Sequence, residues 1–123
     1  LAACAEAGAI EALVFQITPL FISHTPPCAG PGGPPAGPVA WADRRGQTWH
    51  AGPLDGRWIT TGARPFSCAD AIPGLQRIGI RHFRCDWSWR PSDPAGIAAA
   101  WRAVRRGETP AGSHPANFHR GLL

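Results

Sequence analysis

Residues 26 to 38, PPCAGPGGPPAGP, hold six prolines and four glycines among thirteen positions. Proline removes a backbone donor and fixes φ, and glycine loses most entropy on ordering, so this run enters neither a helix nor a sheet ladder. It is read as a loop, and regular structure must form on either side of it. On its N-terminal side the apolar run EALVFQITPLFIS, Glu11 to Ser23, leads in through His24, and Cys28 stands inside the loop itself. A thiol placed there is either a ligand or nucleophile presented at a strand end, or a small apolar residue with no special duty.

The flanking segments carry ordinary signals. Leu1 to Ala7 reads as the end of a helix closed by Gly8. Ile10 to Ile17 is continuously apolar around Val14 and Phe15, the pattern of a strand buried on both faces in a parallel sheet. Pro19 interrupts it, and LFIS extends it as an edge or bend. Residues 39 to 51, VAWADRRGQTWHA, read as a hairpin with DRRG as the turn and Trp41 and Trp49 on its arms. GRWITTG is a further strand.

Ser67 with Asp70 three residues on suggests a helix start, Pro73 divides that helix, and Gly79 ends it. IRHFRCDWSW reads as another strand. Ser92 is expected to cap the last helix, with Ile97, Trp101 and Val104 forming one buried stripe and Gly107 stopping it. Residues 108 to 123 read as loop or tail. The order is that of an α/β chain with an antiparallel excursion, one partial domain over 1–123.

Charge and cysteine usage narrow the function classes. The chain has twelve arginines, no lysine, no tyrosine, no methionine, and a net charge of +4. Arg, Ala, Gly and Pro share GC-rich codons, so the bias is read as genomic. The arginines are scattered, with Arg44-Arg45 and Arg105-Arg106 as the longest runs. A polyanion partner is thus one reading of the charge and not the leading one.

Cys4, Cys28, Cys68 and Cys85 lie far apart without a CxxC pair, which points to a reducing, cytoplasmic compartment rather than a disulfide scaffold. No apolar stretch reaches the roughly 18 residues of a membrane span, so no membrane partner is expected. The missing initiating methionine, without a signal peptide to explain it, suggests a piece of a longer chain with its remainder upstream of Leu1.

Four stretches together resemble the collagenase-like peptidases of unclassified catalytic type, family U-thirty-two. EALVFQITPLFISHTPPC is similar to that family's strand running from an acidic residue through VFG-x-x-PLM-x-S into a cysteine. VAWADRRGQTWHA is similar to its L-x-DRxG-x-x-F hairpin, FSCADAIPGLQRIGIRHFRCD to its L-x-x-x-LPxLxxxGIxxxRID helix and strand, and NFHRGLL to its terminal N-x-x-RGL element. The resemblance implies the C-terminal fragment of a TIM-barrel-like α/β fold with an inserted β-hairpin. An open barrel piece would leave the Leu13–Phe15 strand without a neighbour on one side. It also implies a protease or hydrolase acting on a peptide substrate. Other members carry a four-cysteine iron–sulfur cluster and support oxygen-independent hydroxylation of RNA or a quinone precursor. A third reading is a non-catalytic basic RNA-binding or accessory module that has lost its cluster.

The resemblance assigns Cys28 and Cys68 to metal-ligand places. The ligand set is incomplete, because the loop after Cys28 supplies no further thiol and neither Cys4 nor Cys85 matches. His24 is available to complete a mixed site. The alternative for both cysteines is plain burial. His24 and Cys28 as a base–nucleophile pair are separated by two prolines and lack a third orienting group.

Arg84 and Asp86 alternate onto one strand face where the family places an arginine and an acidic residue. They are the catalytic candidates, with a structural ion pair to the neighbouring strand as the alternative. Trp87 and Trp89 would stack bases or pack the core. His114, His119 and Arg120 would close over a barrel mouth or lie in a solvated tail.

Overall fold

A computed structural model describes residues 10–27, 33–89, 92–116 and 118. It divides into two units, the second threaded into the sequence of the first. The first comprises residues 1–16, 64–87 and 91–123, and the second residues 17–63 and 88–90.

In the first unit, β1 (Glu11–Gln16) is the central strand of three, flanked by β6 (Phe66–Ser67) and β7 (His82–Asp86). Val14 and Phe15 are buried consecutively, so both faces of β1 are covered. β7 runs parallel to β1, pairing Leu13 with Arg84 and Gln16 with Asp86. β6 runs antiparallel, pairing Phe15 with Ser67 and Gln16 with Phe66.

After β6 come a 3-10 turn (Ala69–Ala71) and α1 (Ile72–Arg77), which carries Pro73 in its first turn. Gly79, at φ 98°, swings the chain away toward Ile80 and β7. α2 (Pro94–Arg105) closes the unit, and Val14, Phe15, Cys68, Ala69, Leu75, Ile80 and Val104 form its core.

The second unit is a four-stranded antiparallel sheet in the order β2 (Pro19–Ser23), β5 (Arg57–Gly62), β4 (Thr48–Leu54), β3 (Val39–Ala42). The hairpin expected at 39–51 is there, with Trp41 opposite Trp49. Asp55 and Gly56, at φ 48° and 73°, make a two-residue turn that joins it to β5. Asp-Gly between two strands is a strong hairpin signal, and it marks the continuous meander that treating GRWITTG separately misses.

This architecture overturns the expected TIM-barrel-like α/β fragment. A barrel needs parallel strands on both sides of each member until the sheet closes. Here the second side of β1 is taken by antiparallel β6, whose pairing leaves no place for a further parallel strand. Among the described residues there are two small sheets and two short helices, with no barrel closure. The Leu13–Phe15 segment accordingly has neighbours on both sides, and the open apolar edge is β2.

Local signals shifted by single residues. Asp93, not Ser92, caps α2, its carboxylate accepting from the Gly96 N–H at 2.8 Å. Of the stripe on α2, Val104 is buried but Trp101 is 46 % exposed. The segment after α2 is stitched to β6 rather than solvated throughout: the Ser67 N–H donates to His114 O and the His114 N–H to Pro65 O, each at 2.9 Å. Arg64 clasps the same segment through the carbonyls of Gly112 and Ser113. His119 and Arg120 lie outside the described residues.

Candidate functional site

The catalytic candidates sit on β7 in the first unit. Arg84 Nη1 lies 3.1 Å from Glu11 Oε1 across the parallel pair, both side chains about half exposed (55 and 51 %). Asp86 accepts from Gln16 Nε2 at 3.3 Å. Each therefore engages β1, the arrangement of the structural alternative, and an exposed pair of this kind contributes about 0–1 kcal/mol. Trp87 packs on Phe15, ring centroids 5.2 Å apart and tilted by 34°, against the core. Trp89 buries its indole nitrogen with no acceptor among the described residues. Both tryptophan side chains are half-buried.

Cys28, one of the two proposed metal ligands, lies outside the described residues. The other, Cys68, is 2 % exposed, with its thiol 3.7 Å from the Leu13 carbonyl. Burial, assisted by the negative charge of Asp70, pushes that thiol up to about 11, and burial does the same to Cys85. Both are free cysteines held neutral at physiological pH. Among the described residues no three His, Cys, Asp or Glu side chains gather where they could hold a metal ion. The two described thiols, Cys68 and Cys85, do not by themselves supply the four thiolates of a cluster.

The buried thiols carry a pH prediction. Between about pH 9 and 11 an unfolded chain releases thiol protons that the folded chain retains. Stability is therefore fully present below pH 9 and falls as pH rises through that window. The chain has no lysine or tyrosine, so thiols are the only side chains titrating there. The urea midpoint should drop from pH 8.5 to pH 10.5 in the wild type and drop less in Cys68→Ala. An equal drop in both would show that Cys68 is not the group responsible.

The second unit holds a groove of about 550 Å³ on one face of its sheet. Register explains it. Partnered residues share a face: Phe21 on β2 lies opposite Thr60 on β5, and Trp49 on β4 lies between Gly62 on β5 and Trp41 on β3. Gly62 brings no side chain to compete for the space beside Trp49. The two tryptophans and Phe21 form walls, buried Thr60 lies between them, and Pro26 and Pro27 border one end.

The adjoining turn is ordered by Asp43. Its carboxylate accepts the backbone N–H of Gln47 at 3.0 Å and of Arg45 at 2.8 Å, and the Trp49 indole N–H at 3.1 Å. These donors, Gln47 foremost, hold the carboxyl below the usual carboxylate range. Arg44 and Arg45 project into solvent at the tip of the hairpin that carries the Trp pair.

The arrangement offers aromatic side chains along a groove, on a hairpin whose turn carries the exposed Arg44 and Arg45. Sequence reasoning weighs stacking against core packing for Trp87 and Trp89 and sets Trp41 and Trp49 on the arms of a hairpin; the structure packs Trp87 on Phe15 and lines a groove with Trp41 and Trp49. The signal present in the sequence is DRRG set between two tryptophans that flank the turn. No helix among the described residues is long and apolar enough to cross a membrane. Comparisons with protein-family models, curated proteins and solved structures find no match to this chain.

Proposed function

We propose that this chain is a non-catalytic module that binds single-stranded RNA, with bases stacked in the groove of Phe21, Trp41 and Trp49. The observation that carries this reading is the Trp41–Trp49 pair, open on a sheet face and joined through Asp43 to a turn bearing Arg44 and Arg45. Aromatic faces on an antiparallel sheet take unpaired bases without demanding one sequence. Guanidinium groups beside them meet the phosphates, and the net charge of +4 favours approach of a polyanion. The wide spacing of the four cysteines, without a CxxC pair, suits a reducing, cytoplasmic setting. The peptidase and hydroxylase readings keep the sequence resemblance as their support and gain nothing from the geometry of Arg84, Asp86 or Cys68.

Fluorescence anisotropy with a labelled single-stranded RNA tests the proposal. Trp41 is the cleaner probe, because Trp49 also ties down the turn. Trp41→Ala should weaken binding by about 1–3 kcal/mol, roughly 5- to 150-fold. Arg44→Ala with Arg45→Ala should flatten the salt dependence, by about 0.7 in log–log slope for each phosphate no longer neutralised. Equal affinity of wild type and Trp41→Ala, or equal binding of single strand and duplex, would defeat the proposal.

A further inference from the structure

The two edges of the second unit's sheet are built differently. β3 is guarded: Pro34, Pro35 and Pro38 precede it, and Asp43, Arg44 and Arg45 follow it. Prolines and charges are the usual means of keeping a sheet edge from pairing with another chain. Among the described residues β2 is bonded to β5 on one side only, and its Leu20, Phe21 and Ile22 are 44, 67 and 51 % exposed. Its own Pro19 and the register shift between Pro19 and Phe21 protect the start of the strand and leave Phe21 onward open.

Charge selects the occupant. Between Glu11 and Asp43 there is no Asp, Glu, Lys or Arg, although the chain as a whole carries +4. Two copies repel wherever their arginines meet, and the β2 edge is where like chains approach without that cost. β2 itself carries no charged side chain for a charged partner to recognise. We infer that β2 is a self-association edge, on which two copies pair antiparallel about a two-fold axis close to Ile22.

Such an interface is isologous, so one apolar strand serves both sides. Ile22 of one copy meets Ile22 of the other, Phe21 meets Ser23, and the outward backbone N–H and C=O groups of each strand gain partners. Ile22 pairs with Ile59 and Phe21 with Thr60, so Ile22 points to the face away from the groove. Substitution of Ile22 therefore leaves the groove-lining side chains in place, while Phe21 and Ser23 line the groove and also lie at the seam.

Analytical ultracentrifugation of the full chain tests it with the wild type, Ile22→Lys, Ile22→Glu and an equimolar mixture of the two variants. The wild type should sediment as a dimer at about 200 µM. Each variant alone places like charges across the axis and should weaken the dimer at least about tenfold. The mixture should regain a heterodimer, which a misfolded variant would not do. A wild type that stays monomeric at about 200 µM overturns the inference. So do variants that remain dimeric alone, a mixture that stays monomeric, or a monomeric wild type that instead takes up a foreign extended peptide along β2.

Discussion

Replacing Ile80 with alanine is expected to lower the stability of the first unit by about 2–5 kcal/mol. Ile80 is 2 % exposed and is the largest of the fully buried side chains. It belongs to the core cluster with Val14, Phe15, Leu75 and Val104. Removing its outer carbons loses their transfer free energy, and the vacated space persists because its walls come from β1, α1 and α2 and do not all collapse together. The backbone bond from the Ile80 N–H to Leu75 O, at 3.1 Å, does not depend on the side chain. The loss should therefore reflect packing alone. Ile80→Val should cost about 0.5–1.5 kcal/mol, and urea unfolding of both variants checks the ratio. A loss below about 0.5 kcal/mol for Ile80→Ala would remove Ile80 from the core.

Ser67→Ala is expected to cost about 1–3 kcal/mol, a large effect for the loss of one oxygen. Ser67 is fully buried. Its hydroxyl donates to Val14 O at 3.1 Å and accepts the Ala69 N–H at 3.3 Å, so it joins β6, β1 and the 3-10 turn. The Val14 carbonyl keeps the Cys68 N–H at 3.0 Å, but the Ala69 N–H loses its acceptor where water does not reach. Thermal unfolding should register the change, while Ser67→Thr, which restores the hydroxyl, should recover part of it. Equal stability of Ser67→Ala and wild type would mean that the Ala69 N–H finds another acceptor.

The helix start expected at Ser67 is a related case. Serine followed by aspartate three residues on is a capping pattern, and Ser67 does accept a nearby N–H. Yet Ser67 belongs to β6, Cys68 precedes the 3-10 turn without a side-chain cap, and regular helix begins at Ile72. Serine suits a cap and a turn equally. Pairing with Phe15 settles which it becomes.

Wherever the determining chemistry is local, the sequence alone determined the outcome. Consecutive Val14 and Phe15 made a doubly buried strand, DRRG made a turn between two tryptophans, and Gly79 and Gly107 ended their helices at positive φ. The strands, the hairpin and the last helix were legible for that reason. Tertiary structure decided which strand lies beside which. A strand exposes the same donors and acceptors to either direction of neighbour, so β1 alone does not encode an antiparallel β6 on one side and a parallel β7 on the other.

The same holds for the aromatic residues. Trp41, Trp49, Trp87 and Trp89 read alike along the chain. Only the register of four strands opens a groove beside the first two, while Trp87 packs on Phe15. The candidate site was therefore half legible: its residue types and its turn lay in the sequence, and its location depended on pairings between segments far apart in it. Burial of Cys68 is of that second kind too, because the carbonyl beside its thiol belongs to Leu13, 55 residues away.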